Sequence, residues 1–297
     1  MKKLSNLIEK AKGAQKKKIV VVEGHDLPVL EAIKEALGLE IIEPILVGEK
    51  EKIEKSLKEL DIPVSQVEIL NTHSPEESAK NGISLVSKKM ADVVMKGLIP
   101  TDTFLKAILN KEWGLRTDSI LSHIALFEIP TYHKLLLITD AAMNIAPDIN
   151  QKIHITKNAV NFMKNIVEEK PKVAFLTHNE KVKPGVQASE DAAMLTMMAK
   201  RGQLGDIVAD GPLALDNIIS KEAAEHKGIK SEVAGDADII ICPEIMSGNA
   251  LYKSLTYFVK AKAAALIAGA KAPVVLTSRA DSAETKLYSI VFAVVNS

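Results

Sequence analysis

One cysteine, Cys242, occurs in the 297 residues, so no internal disulfide can form and a cysteine-ligated metal site lacks its ligands. An excess of one charge is missing too: Lys plus Arg and Asp plus Glu each number 38, a formal net charge of zero. A neutral chain has no global electrostatic footprint for nucleic acid or an anionic membrane, although a local cationic pocket for a phosphorylated ligand stays compatible with it. No run reaches the ~18 apolar residues of a membrane span. The start, Met1 to Lys18, is lysine-rich and amphipathic and lacks the apolar core of a signal peptide. Together these absences point to a reducing cytoplasm, with neither membrane nor nucleic acid as partner. Nucleotide signatures are missing as well. Glu23-Gly24-His25-Asp26 follows the first strand-like run where a dinucleotide fingerprint would stand, and no Walker motif appears. The seven histidines include no H-E-x-x-H pair, so no zinc or other metal site is expected.

What is present is a globular composition. Apolar residues make up 47 % and charged ones 26 %, enough to bury a sizeable core and to exclude general disorder. Short runs rich in Val, Ile and Leu recur: Lys18–Glu23, Glu40–Val47, Gln66–Leu70, Ala91–Lys96, Ser119–Phe127, Leu135–Thr139, Lys172–Leu176, Asp206–Ala209, Ala237–Ile241 and Pro273–Thr277. They are continuous rather than alternating, as in parallel strands covered on both faces, and segments of helical period separate them. The expected class is therefore α/β with largely parallel sheets. Pro28 to Leu37 reads as a helix stopping at Gly38, and Ser74-Pro75-Glu76-Glu77 as a helix start with an N-cap serine. Lys260 to Ile267 is alanine-rich and reads as a helix closed by Gly269. A boundary is expected near Glu128-Ile129-Pro130.

Open parallel sheets bind ligands beyond the carboxyl ends of their strands, so the strand-to-helix junctions are where chemistry is sought. Gly97-Leu98-Ile99-Pro100-Thr101-Asp102 follows one run, and Thr101 or Asp102 can cap the next helix and offer its amides to phosphate. Asp140-Ala141-Ala142-Met143-Asn144 follows another, with an acid that can contact a ligand or cap. Ser247-Gly248-Asn249 permits close backbone approach at a helix start, with Tyr252 and Lys253 about one turn further on. Lys253 can serve a phosphate or an oxyanion, and equally a solvated surface. Ser278-Arg279, followed by the capping-box pattern Asp281-x-x-Glu284, has the composition of an anion cradle. Plain capped turns explain several of these loops as well. His123 and His133 read as satisfied core or interface histidines, and Asp206 with Asp210 as an acid pair or a strand flanked by turn residues.

Taken in order, these junctions resemble the phosphate acetyltransferase and phosphate butyryltransferase family, and most closely its butyryl or branched-chain members. The residues carrying the likeness are 96–101 (KGLIPT), 109–116 (LNKEWGLR), Ser122-His123, Tyr132-His133-Lys134 and 139–147 (TDAAMNIAP). Asp210-Gly211-Pro212, Ser247-Gly248-Asn249-x-x-Tyr252-Lys253 and Thr277-Ser278-Arg279 continue it. Each motif alone is weak, but the ordered set spans nearly the whole chain from about Ile19. The resemblance implies two α/β domains and an interdomain cleft, similar to the isocitrate/isopropylmalate dehydrogenase-like architecture. It puts residues 1–130 with 278–297 in a discontinuous first domain and 131–277 in the second. It implies a homodimer or higher homo-oligomer with no permanently bound cofactor. Coenzyme A or acyl-CoA, phosphate and acyl phosphate would be the substrates, and the thiolate of coenzyme A would attack the acyl phosphate carbonyl in a ternary complex. By the same resemblance Arg279 holds the phosphoryl group or the intermediate, with Ser278 as donor beside it. Asn249, Tyr252 and Lys253, with Ser247, Gly248, Asp140 and Asn144, line the site from one domain, and Gly97, Thr101, Asp102 and Asp281 from the other.

Two departures from the acetyl-type pattern matter. Thr285 stands where those relatives place an acid seven residues after the serine, leaving neighbouring Glu284 or Asp281, or no residue, as base. Pro28 stands where they carry an arginine, which favours the butyryl-type branch and removes one cation. Two other functions share the architecture: a metal- and nicotinamide-dependent dehydrogenase, which would need a metal acid cluster not evident here, and a non-catalytic acyl-CoA-binding module, at odds with retention of Ser278, Arg279 and Lys253.

Overall fold

The computed structural model describes residues 1–278 and 281–297. Among the described residues the strands are β1 (Lys17–Val22), β2 (Ile42–Gly48), β3 (Glu68–Asn71), β4 (Val93–Lys96), β5 (Ser122–Glu128), β6 (Leu136–Thr139), β7 (Lys172–Leu176), β8 (Val208–Leu213), β9 (Ile239–Ile241), β10 (Lys262–Ala268) and β11 (Val274–Val275). The chain divides into two compact units, residues 5–119 with 264–297, and residues 1–4 with 120–263. These changeovers fall earlier than the expected 130/131 and 277/278. The pairings give the reason: β5 is antiparallel to β6 (Ala125 opposite Ile138), and β10 is antiparallel to β11 (Ile267 opposite Val274).

In the unit of residues 5–119 and 264–297 the strand order is β3-β2-β1-β4-β11-β10. All neighbours are parallel except β10 with β11. The run Ile19 to Val22 in β1 is wholly buried, as expected of a central parallel strand covered on both faces. The helix Pro75–Ser87 packs on β1, Leu27–Gly38 on β2, and Ala283–Val295 on β11 and on Leu27–Gly38. The Pro75–Ser87 helix starts as its sequence requires, with Ser74 Oγ accepting the Glu77 N–H and Pro75 at the first helical position.

In the unit of residues 1–4 and 120–263 the order is β5-β6-β9-β7-β8, parallel apart from β5 with β6. The helices Ile149–Met163 and Gln187–Lys200 are joined by a buried ion pair, Lys152 Nζ to Asp191 Oδ2 at 2.6 Å. Asp148 and Gln151 close a capping box at the start of the first of these helices.

Residues 262–268 correct the reading of 260–267 as a helix. Alanine favours helix by only a few tenths of a kcal/mol per residue over most residues, and pairing with β11 outweighs that. Here the Ala265 N–H donates to Ser289 Oγ at 2.9 Å. β8 runs on to Leu213, so Asp210-Gly211-Pro212 is strand rather than turn. Asp206 is ion-paired to Lys170 at 2.6 Å, while Asp210 Oδ1 accepts the Gly211 N–H, so the two acids do not act as a pair. His133 lies in a turn, 54 % exposed, with Nε2 2.7 Å from Asp236 Oδ1. His123 is buried on β5 as expected. No helix among the described residues is long and apolar enough to cross a membrane.

Candidate active site

The candidate residues fall into two sets, one on each unit, and in each unit they follow the carboxyl end of a strand. On the unit of residues 5–119 and 264–297, β4 runs into Gly97. A Cβ there would lie 2.2 Å from the carbonyl oxygen of Glu23, so only glycine lets the loop pass this close to the end of β1. The Gly97 N–H donates to the Val22 carbonyl at 2.8 Å and the Leu98 N–H to that of Glu23 at 2.9 Å. Glu23 itself holds a left-handed backbone, φ 55°, and its buried carboxylate accepts the Ser78 hydroxyl. Neither Thr101 nor Asp102 caps the next helix: both lie inside its first turn, Thr101–Ile108, behind Pro100, and both are exposed. Pro100 has no side-chain oxygen to accept an amide, which leaves that helix start uncapped by a side chain.

The second loop of this unit follows β11. Arg279 lies outside the described residues. Ser278 and Asp281 are joined by two hydrogen bonds: the Ser278 N–H donates to Asp281 Oδ2 at 2.7 Å and the Asp281 N–H to the Ser278 carbonyl at 3.1 Å. The helix cap is Ser282, accepting the Thr285 N–H at 3.1 Å, rather than the expected Asp281 with Glu284. Two capping residues stand in a row, and the later one takes the helix while the carboxylate of the earlier one accepts the Ser278 N–H. Glu284 sits exposed in the first helical turn. Lys286 is 2 % exposed, and its Nζ donates to the Ser278 carbonyl at 3.2 Å and to that of Asp281.

On the unit of residues 1–4 and 120–263 the site is tighter. Asp140, 3 % exposed, follows β6 and accepts four hydrogen bonds. Three come from the N–H groups of His123, Ala142 and Met143, at 3.2, 2.8 and 2.9 Å. The fourth comes from Asn144 Nδ2 at 2.6 Å, which also donates to the Leu121 carbonyl at 2.9 Å. This carboxylate organises residues 140–144 and ties them to β5.

The helix Ile245–Lys253 follows β9 and is capped by Glu244, whose carboxylate accepts the N–H groups of Met246 and Ser247, each at 2.7 Å. Burial works against ionisation of Glu244, but the two amides and the Ser247 hydroxyl outweigh it and hold its pKa below the ordinary value. The helix thus starts two residues before Ser247, which lies inside its first turn with Gly248 and Asn249 just beyond. A Cβ on Gly248 would lie 2.1 Å from the Asp140 carbonyl oxygen, and Asn249 Nδ2 donates to the Ala141 carbonyl at 3.0 Å. The close approach that the glycine permits is therefore to the neighbouring loop of the same unit. Tyr252 presents edge contacts to His123 and Phe127, ring centroids 5.7 and 5.4 Å apart. Lys253 is exposed, its Nζ 5.9 Å from the Tyr257 ring centroid. Cys242 is buried just before this helix; burial first, then the charges of Asp140 and Glu244, push its thiol up to about 12. Among the described residues no cluster of three or more His, Cys, Asp or Glu side chains could hold a metal ion.

Sequence reasoning missed Glu23 and Lys286. Glu23 was visible only as a departure from a nucleotide fingerprint. The one signal for Lys286 is a lysine at the head of a mostly apolar stretch of helix, residues 287–294.

In each unit the polar loops follow strand carboxyl ends, where open α/β sheets bind ligands. Among α/β proteins built this way, the chain belongs to the phosphate acetyl/butaryl transferase family, whose model matches residues 3–81 and 74–294. It is 44 % identical to the phosphate butyryltransferase of Clostridium beijerinckii over 292 residues, 98 % of this chain and 97 % of that protein. A branched-chain phosphotransacylase from Enterococcus faecalis has the same fold with a TM-score of 0.84 at 35 % identity, over 94 % of this chain and 98 % of that one. The 4-hydroxythreonine-4-phosphate dehydrogenase of Klebsiella pneumoniae shares the fold alone, with a TM-score of 0.57 at 12 % identity over 94 % and 98 % of the two chains.

Proposed function

We propose that this chain is a phosphate acyltransferase moving a butyryl or branched short-chain acyl group reversibly between coenzyme A and inorganic phosphate in the cytoplasm, as a homodimer or higher homo-oligomer. The observation that carries this reading is the near full-length likeness to a phosphate butyryltransferase. The residues then take the following roles.

Towards the thioester, the sulfur of coenzyme A bonds to the acyl carbon and the carbon–oxygen bond to phosphate breaks, releasing inorganic phosphate. A thiol with a pKa of ~8.5 needs a base to become a good nucleophile near neutrality. Glu284, in the first turn of the helix that follows, or Asp281 beside Ser278 takes the thiol proton. Arg279 holds the phosphoryl oxygens, with Ser278 donating beside it. Lys253 supplies positive charge to the phosphorylated ligand, and Asn249 and Tyr252 form its surroundings. Asp140 and Asn144 act at one remove, since their hydrogen bonds fix the loop on which the Ile245–Lys253 helix rests. Gly97 sets the path of its loop, and Thr101 and Asp102 present a helix start to the ligand.

The test is phosphate-dependent loss of the thioester absorbance of butyryl-CoA, run with a chelator and without nicotinamide. Turnover under those conditions is expected. No turnover of any C2 to C6 acyl-CoA by folded protein would sink the reading, and a requirement for metal and nicotinamide would favour the dehydrogenase instead. Arg279→Ala is expected to lose at least about 100-fold in kcat.

A further inference from the structure

Lys96 opens the 96–101 stretch that carries part of the family likeness, yet the proposed roles leave it unused. It is the last residue of β4, paired with Val22 of β1, and is 8 % exposed. Its Nζ donates to the Gly97 carbonyl at 3.2 Å, so the side chain turns along its own strand and the ammonium lies at the carboxyl end of β4. Burying an ammonium is costly unless partners replace the lost hydration, and the Gly97 carbonyl takes one of its three N–H groups. An apolar side chain, like those of Val93, Val94 and Met95 before it, would fill the space at lower cost. Packing therefore does not explain a lysine here.

Its place in the sheet does. In the order β3-β2-β1-β4-β11-β10 the chain runs from β1 outward to β2 and β3, then crosses back to β4 on the other side of β1. The reversal between β1 and β4 is a topological switch point, and open α/β sheets bind ligands beyond the carboxyl ends of the strands at that point. Gly97 holds the two loops together there, its N–H donating to the Val22 carbonyl and its missing Cβ letting the chain lie against Glu23. The helices Leu27–Gly38 and Thr101–Ile108 start from these loops, and neither has its first amides capped by the side chain of the residue before it. Of the acids on the two loops, Glu23 accepts the Ser78 hydroxyl, Asp102 lies 3.8 Å from Lys106, and Asp26 precedes the first helix. A buried cation at a ligand-binding strand end suits an anionic ligand, and every substrate of the proposed reaction carries a phosphoryl group.

We infer that Lys96 is a phosphoryl-binding residue, the fixed positive charge of the β1–β4 switch point. This rests on the phosphate acyltransferase reading and adds a residue to it. The phosphoryl group belongs either to phosphate and acyl phosphate or to coenzyme A, and the experiment separates the two.

Full-length wild type is compared with Lys96→Met and Lys96→Gln, which remove the charge, and with Lys96→Arg, which keeps it. The readouts are the Kd of inorganic phosphate and of coenzyme A by titration calorimetry, the KM for phosphate and for butyryl-CoA, and the melting temperature. Lys96→Met should raise the constants for one of the two ligands about tenfold or more, the effect of losing one charge-assisted hydrogen bond. Those for the other should change by less than about threefold, within the spread of remote substitutions. Weakened phosphate assigns Lys96 to the transferred phosphoryl group, and weakened coenzyme A assigns it to a phosphate of the cofactor-like substrate. Lys96→Arg should lie between wild type and Lys96→Met, and Lys96→Gln carries the test if the methionine variant does not fold. Unchanged constants for both ligands in a folded charge-removing variant overturn the inference. So does an equal rise for both with a lower melting temperature and no recovery by arginine, the signature of a merely structural role. Wild type that transfers no acyl group refutes the functional reading, and calorimetry then decides alone: equal Kd values in wild type and variants, or no binding of either ligand, remove Lys96 from any phosphoryl site.

Discussion

Gly248→Ala is a one-methyl change whose consequence can be worked from the structure. The new Cβ would sit 2.1 Å from the Asp140 carbonyl oxygen, 3.0 Å from its carbonyl carbon and 3.1 Å from Ala141 Cα, all backbone atoms. Ordinary contact starts at 3.4 Å, so the helix and the loop must part by about 1 Å. The loop cannot yield alone, because the Asp140 carboxylate pins it through four hydrogen bonds. The helix must therefore move, carrying Asn249, Tyr252 and Lys253 with it. Overpacking of this kind costs about 1–3 kcal/mol. In a unit of this size that lowers Tm by roughly 2–4 °C per kcal/mol. A misplacement of ~1 Å in positioning groups can cost about 100-fold in rate. The assay is kcat/KM for butyryl-CoA with saturating phosphate, beside a thermal melt. The expected result is a large loss of kcat/KM with only a modest fall in Tm. Wild-type kcat/KM in the folded variant would refute the reasoning, because the helix would then have moved without consequence or not moved at all.

Other outcomes follow from the same contacts. Asp191→Ala leaves the buried Lys152 ammonium without its acid and should cost about 3–5 kcal/mol by urea denaturation, whereas a loss below ~1 kcal/mol would mean water reaches Lys152. Asp236 is held well below the ordinary carboxylate range: burial opposes its ionisation, but Lys134, Lys172 and His133 more than compensate. A lowered folded-state pKa contributes stability above the unfolded value of 3.8, and that stability is lost as pH falls towards the folded value. The Tm deficit of Asp236→Asn should therefore be fully present at pH 7 and shrink below about pH 4, and a deficit independent of pH would contradict this cause. Cys242, its thiol raised to about 12, should not react with a disulfide reagent at pH 8 in folded protein; fast labelling without loss of structure would show that the site opens.

Most strands were legible because buried parallel strands leave continuous Val/Ile/Leu runs, as in 19–22 and 239–241. β10 was not, because its alanines carry a helix preference that the sequence does not offset, whereas in the fold the segment is a sheet strand, antiparallel to β11 across the Gly269 turn. The loops worth inspecting were legible from their position after strands, but the jobs inside them were not. Asp140 is an acid after a strand in either reading; only its four donors, one of them 17 residues earlier in sequence, make it a loop organiser. Ser282 and Asp281 are both good caps, and sequence has no means of telling that Asp281 is needed at Ser278. Lys286 reads as an ordinary charged residue in a helix until its burial and its two carbonyl partners are seen.

The central claim is transfer of an acyl group between coenzyme A and phosphate. Phosphorus NMR of the purified protein with butyryl-CoA and inorganic phosphate tests it most directly. An acyl phosphate resonance should grow in step with free thiol, with no thiol released when phosphate is omitted, and added acyl phosphate with coenzyme A should run the reaction back. Thiol release without an acyl phosphate signal would mean hydrolysis rather than transfer, and would contradict the account.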